Sequence, residues 1–175
     1  MFGAAQSAAI DESAFRLLYE ATCQPLRAYL LHLCRRPDVA DDILQETWCR
    51  YLLHRRNDMD ESQTRSYLFR IATNLVHDRA RSGVDAVVPE VPERGARPNL
   101  ETRLDIRATL AQLKPREREL LWLAYVEGMN HDEIAAATGL RPLSIKILLF
   151  RARRKAARLL APGAQNTDPK QTRFA

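Results

Sequence analysis

Between residues 141 and 160 the chain carries seven basic residues, Arg141, Lys146, Arg151, Arg153, Arg154, Lys155 and Arg158, and no acidic one. Cations at that density suit a polyanion. They pair with phosphates and release counterions, and a lysine or arginine can donate to the N7 and O6 acceptors of guanine in a major groove. Lys146, one position past a core isoleucine, is the strongest base-reading candidate, set against a plain solvated lysine. Arg141 and Ser144 sit near the entering end of the same segment and suit a base or a phosphate equally. Arg151, Arg153, Arg154, Lys155 and Arg158 suit the phosphate backbone, or a solvated charge run. The segment is also apolar at Ile145, Ile147, Leu148, Leu149 and Phe150. These five cannot all enter one small core. At least one is expected to be exposed, free to meet a thymine methyl, bind a protein partner or pack on the rest of the chain.

The element that must position these side chains reads as a helix-turn-helix, with an ordinary helical hairpin as the alternative. The segment at 130–146 is NHDEIAAATGLRPLSIK. Asn130 and Glu133 make a capping box. Ile134 and Ala135 face inward, and the small Ala135 lets a crossing helix come close. Gly139 fits a left-handed turn, Pro142 fits the first turn of a second helix, and Ile145 and Leu149 return to the core. Upstream, Leu104, Ala108, Ala111 and Leu113 suggest a helix ending before Lys114. Pro115 then opens another, with Leu120, Leu121, Leu123, Ala124 and Val126 buried and Gly128 at its end.

A separate helical block precedes this one. Phe15, Leu18, Thr22, Leu26, Tyr29 and Leu33 recur at three and four, in a run that Pro25 kinks or restarts. A second helix starts with Asp38 as its cap and Asp41 in its first turn. Its apolar stripe is Ile43, Leu44, Trp48, Tyr51 and Leu52, and its opposite side carries Asp42, Gln45, Glu46 and Arg50, either solvated or a docking face. Residues 55–64 are polar throughout and read as a loop. A third helix follows with Tyr67, Leu68, Ile71, Ala72 and Leu75 inward. It ends in a polar patch of Asn74, His77, Asp78, Arg79 and Arg81 beside that loop, which suits splayed single-stranded bases or plain solvent. Gly83, Pro89, Pro92, Gly95 and Pro98 then mark a linker, set against an ordered surface loop within one domain. The expected fold class is all-α: two small helical domains joined by a flexible linker, the second a helix-turn-helix domain. The domains are 12–82 and 104–160, with 83–103 as linker and 161–175 as a disordered tail.

Composition bounds the function. The 175 residues are 46% hydrophobic with a net charge of +5, and the basic excess lies in the last third. Cys23, Cys34 and Cys49 have no CxxC or zinc spacing and read as reduced, buried thiols. No signal peptide and no apolar run of membrane length is apparent, so no membrane insertion is expected and the cytoplasm is the default location. There is no glycine-rich phosphate loop, GxSxG or HExxH. His131, Asp132 and Glu133 point in successive directions of a first helical turn and do not converge on a metal. Neither catalytic residues, metal nor cofactor is expected.

Two segments carry a family resemblance. DDILQETWCR at 41–50 resembles the second conserved region of bacterial RNA polymerase sigma factors of the small, two-domain, extracytoplasmic-function type (group 4 of the sigma-70 family). SYLFRIATNLVHDRAR at 66–81 resembles the promoter-melting, −10-reading helix of the same domain, and residues 110–158 resemble the fourth region. The resemblance spans residues 12–160, in order, with a linker between the parts. It implies a dissociable, non-catalytic polymerase subunit that sets promoter choice and initiates transcription. Asp42, Gln45, Glu46 and Arg50 would dock on core RNA polymerase. Asn57, Asp58 and Met59, with Asn74, Asp78 and Arg81, would hold the single-stranded −10 element. Arg141, Ser144, Lys146, Arg151 and Arg154 would bind −35 duplex DNA. The family usually has polar residues where this chain has Ile147 and Leu148. Many relatives are silenced by an anti-sigma factor, a further implied partner. The competing functions are a helix-turn-helix regulator independent of polymerase, and a sigma-like interaction module without promoter selectivity.

Overall fold

The computed structural model describes residues 12–54, 58–82 and 112–160, and all regular structure among them is helical. The order is α1 (Glu12–Cys34), α2 (Pro37–Leu53), α3 (Glu61–Ser82), α4 (Pro115–Tyr125), α5 (His131–Thr138) and α6 (Pro142–Leu160). The expected linker at 83–103, residues 104–111 of the helix expected to end before Lys114, and the tail at 161–175 lie outside the described residues; at the described end of that helix residues 112–113 form a turn and a bend, with Leu113 buried.

In the first block α1 runs unbroken through Pro25, so the expected interruption does not divide it. Its end is set by Arg35, whose φ of 56° leaves the helical region. Asp38 does not cap α2. Pro37 takes the first helical position, which places Arg36 at the cap in extended backbone, its side chain making no capping bond. Asp38 lies inside the first turn and pairs with Arg36, while Asp41 reaches back to α1 and accepts from Arg27 Nε at 2.7 Å and Nη2 at 3.0 Å. The loop expected over 55–64 is shorter. Asp60 accepts from the Gln63 amide at 2.8 Å, and Gln63 Oε1 accepts from the Asp60 amide at 3.1 Å. This reciprocal cap makes Glu61 to Thr64 the first turn of α3. The core gathers Leu26, Tyr29 and Leu30 of α1 with Ile43 of α2 and Leu68, Phe69 and Ala72 of α3, each at most 2% exposed. Tyr29 packs on Phe69 with ring centroids 5.1 Å apart, and its hydroxyl bonds Thr73 Oγ1 at 2.8 Å. Burial holds its phenol well above the usual value.

The second block has the expected helix-turn-helix. Asn130 Oδ1 accepts from the amides of Asp132 at 2.9 Å and Glu133 at 3.0 Å, and Glu133 Oε2 accepts from the Asn130 amide at 2.8 Å. Gly139 takes φ 72° between α5 and α6. Leu120, Leu123, Ile134, Ala137 and Ile145 close the core, each at most 1% exposed.

The two blocks pack together, α3 along α5 and α1 against α4. Arg65 of α3 donates to Glu127 at 2.8 Å, and Trp122 Nε1 donates to the same carboxylate at 2.9 Å. That side chain is only 4% exposed. Glu119, buried at the start of α4's second turn, is held by Arg116 at 2.9 Å and faces His77 of α3 at 3.5 Å. Ser62 donates to Glu133. His32 of α1 stacks on Trp122, centroids 4.4 Å apart at 27°.

Two outcomes follow from these contacts. Asn130→Ala leaves two amides of α5 without their acceptor and should cost about 1 kcal/mol, read as a lower urea midpoint at unchanged slope. His32 is lowered from 6.5 to about 4, first by burial and then by the Arg118 cation. The unfolded chain takes up this proton near pH 6.5, whereas the folded one resists until about 4. Stability is therefore intact above pH 6.5 and falls as pH drops toward 4, by up to about 3 kcal/mol. His32→Phe keeps a ring on Trp122 and should flatten that part of the stability–pH profile; an unchanged profile would remove the assignment.

Candidate nucleic-acid interface

Helix α6 is seated by Ile145, Leu149 and Ala152, each at most 4% exposed, against α4 and α5. Its other side faces solvent. Arg141, Lys146, Arg151 and Arg154 are exposed and Ser144 is half-buried, so the structure brings these five onto one helix and its entering turn. The expected apolar surplus is also there. Leu148 packs partly against the core, while Leu143, Ile147 and Phe150 are 87%, 54% and 53% exposed. The Arg154 guanidinium lies over the Phe150 ring at 5.7 Å.

Two cations expected at the phosphates are engaged elsewhere. Lys155 donates to Glu117 of α4 at 2.8 Å. Burial alone would raise that carboxyl, but Lys155 and the Lys114 amide hold it below the usual range. Arg153 donates to the Tyr125 hydroxyl at 3.2 Å. Both residues sit on the flanks of α6 that return toward α4, so their charge serves the block's own packing.

On α2, Asp42, Gln45, Glu46 and Arg50 are all exposed, opposite the buried Ile43, Thr47, Trp48 and Tyr51. Arg50 Nε donates to Glu46 at 2.7 Å, one turn apart. Arg79 of α3 approaches Asp42 at 3.5 Å, which joins this face to the next. Cys49 lies among these residues and is exposed, contrary to the expected burial; Cys23 and Cys34 are half-buried, and none of the three is in a disulfide.

The polar patch expected at the end of α3 divides. Asn74, Asp78 and Arg81 stay exposed on one line, with Asp78 paired to Arg81. His77 turns instead to Glu119, and Arg79 to Asp42. The patch does not adjoin the preceding loop. Asp58, exposed, and Met59, half-buried, lie before the first turn of α3, whereas Asn74 lies in its second half. Thirteen helical steps, about 20 Å of rise, separate the start of α3 at Glu61 from Asn74. Asn57 lies outside the described residues. Arg65, Glu119 and Glu127, which join the two blocks, were not marked by any local pattern, because each partner lies tens of residues away.

Among the described residues no group of His, Cys, Asp and Glu could hold a metal ion, and no helix is long and apolar enough to cross a membrane.

The chain matches two family models, Sigma-70 region 2 over residues 18–84 and Sigma-70, region 4 over residues 103–155. It is 31% identical over 160 residues to the ECF RNA polymerase sigma factor EcfG of Rhodopseudomonas palustris, covering 87% of this chain and 88% of that one. It is 28% identical over 149 residues to the RNA polymerase sigma factor SigZ of Bacillus subtilis, covering 82% and 85%. Among solved structures it is similar to CnrH in complex with the cytosolic domain of CnrY, with a TM-score of 0.64, 26% identity and coverage of 91% and 96%. With both regions matched in order on an all-helical frame, the chain belongs to the extracytoplasmic-function group of sigma-70 family sigma factors, non-catalytic proteins that bind RNA polymerase and direct it to promoters.

Proposed function

We propose that three exposed faces divide the work of this sigma factor. Asp42, Gln45, Glu46 and Arg50 of α2 dock on core RNA polymerase. Asp58 and Met59 before α3, with Asn57 next to them in sequence, and Asn74, Asp78 and Arg81 on α3 hold the unwound −10 strand. Arg141, Ser144, Lys146, Arg151 and Arg154 bind −35 duplex DNA, with domains at 12–82 and 104–160 bridging the two elements. The observation that carries this reading is the solvent exposure of polar side chains on three helices whose opposite sides are fully committed to the core. Only Ser144 and Met59 of the named described residues are half-buried. A regulatory protein, an anti-sigma factor, is the further partner proposed. The structurally similar CnrH was solved with the cytosolic domain of another protein, and the exposed apolar residues of α6 offer one surface such a partner could cover.

The test is transcription from a genomic fragment library by purified core polymerase with and without the chain. New start sites and a stable core complex are expected. A chain that leaves core unbound but protects a duplex site alone would be a polymerase-independent regulator, and binding without promoter selection would mark an interaction module.

Replacing Gln45 and Glu46 together by alanine should weaken core binding by about 2 kcal/mol or more while the fold is kept, because neither side chain is buried. An unchanged dissociation constant on the folded double variant would remove α2 from the docking surface. Lys146→Ala and Arg151→Ala should fail differently against a panel of −35 point variants at several salt concentrations. The first should lose about 1–3 kcal/mol of discrimination at one or two bases. The second should weaken all variants alike and lower the salt slope by about 0.9, one phosphate contact.

A further inference from the structure

The part of α6 that stands farthest from its core is apolar. Leu143, Ile147, Phe150 and Arg154 follow one another at four, three and four residues, which puts them on one line of the helix. The buried line, Ile145, Leu149 and Ala152, repeats at four and three on the other side. In a helix-turn-helix the first turns of the second helix contact base edges. Here those turns offer Leu143 and Ile147, 87% and 54% exposed. Phe150, farther along, lies beneath the Arg154 guanidinium, so its ring supports a cation and the two aliphatic side chains form the free tip.

We propose that Leu143 and Ile147 read the −35 element through the C5 methyl groups of thymine. This inference rests on the −35 role proposed for α6. Neither side chain can donate or accept a hydrogen bond, so neither can select a guanine or a cytosine by its polar edge. The apolar feature that the four standard bases display in the major groove is the thymine methyl. The surroundings favour DNA over a protein as the occupant. The tip is bordered by Lys146 on one side and Ser144 and Arg151 on the other, and no acidic residue occurs from 141 to 160. Exposed cations flanking an apolar tip complement a groove walled by phosphates. The two kinds of readout then divide along α6, with methyls read at the tip and a guanine within reach of Lys146.

The experiment begins with the holoenzyme, reconstituted from core polymerase and the full chain, selecting from promoter duplexes randomised across the −35 region. Each thymine in the selected element is then replaced by uracil, which removes one methyl and leaves the base pair intact. The wild-type holoenzyme should lose about fourfold in binding at each contacted thymine, the factor corresponding to about 0.8 kcal/mol for one buried methyl-sized group. Leu143→Ala and Ile147→Ala should each become insensitive, within twofold, to uracil at its own position while keeping the response at the other. Both residues are exposed, so the fold should survive, and the uracil substitutions leave the protein untouched in any case. Selected elements lacking thymine, or uracil tolerated everywhere by a holoenzyme that still selects promoters, would overturn the proposal and leave the tip as a protein-binding surface. A holoenzyme that forms but selects no −35 sequence would overturn it too. Failure of the chain to bind core at all would instead sink the polymerase reading and this inference with it.

Discussion

Burying Ile145, Leu149 and Ala152 against α4 and α5 sets the azimuth of every other side chain on α6. A helix has one rotation about its axis, and once its apolar line is seated the opposite line is committed to whatever lies outside. The same constraint governs α2, where Ile43, Thr47, Trp48 and Tyr51 turn Asp42, Gln45, Glu46 and Arg50 outward, and α3, where Leu68, Ile71 and Ala72 turn Asn74, Asp78 and Arg81 outward. The candidate surfaces are thus the reverse sides of the core. A shift of one residue in any of these buried lines would rotate the matching surface by about 100°.

The seam between the two blocks is polar where it is tightest. Glu127 and Glu119 are nearly excluded from water, yet each has a cation or donor on it: Arg65 and Trp122 for the first, Arg116 for the second. Removing carboxylates from water is expensive and is recovered only when geometry and hydrogen bonding are good. The Arg65–Glu127 pair therefore bears on the registration of α3 against the second block more than on net stability. The stacked His32 and Trp122 rings contribute at α4 in the other way, by area, and require the imidazole to remain neutral.

Local chemistry in the sequence was a good guide where a side chain acts on its own turn. Asn130 with Glu133, Gly139 and Pro142 mark the helix-turn-helix because each solves a backbone problem within four residues. The same logic holds for Asp60 and Gln63, but the polar run around them reads as a loop, and the reciprocal cap that starts α3 is hidden within it. At α2 a good capping residue, Asp38, was preferred to the rule that proline takes the first helical turn, and the proline decides. Lys155 and Arg153 read as phosphate cations because their partners, Glu117 and Tyr125, are 38 and 28 residues away. The packing of α3 on α5 depends on contacts separated by 62 residues or more, and no local period encodes those. Pattern alone does not say which exposed polar face would meet which macromolecule; the family resemblance implies it, and the proposal above rests on that implication.

The reciprocal cap at Asp60 makes α3 a single hydrogen-bonded rod of 22 residues, about 33 Å long. A rod of this kind works as a caliper. With its capped start, just after Met59, at one jaw and Arg81 at the other, the opening is fixed by backbone hydrogen bonds rather than by side chains that can reorient. On the −10 role proposed for α3, a single strand held at both jaws would be gauged by length, and a nucleotide inserted between the two grips would meet a gap that a change of rotamer cannot close.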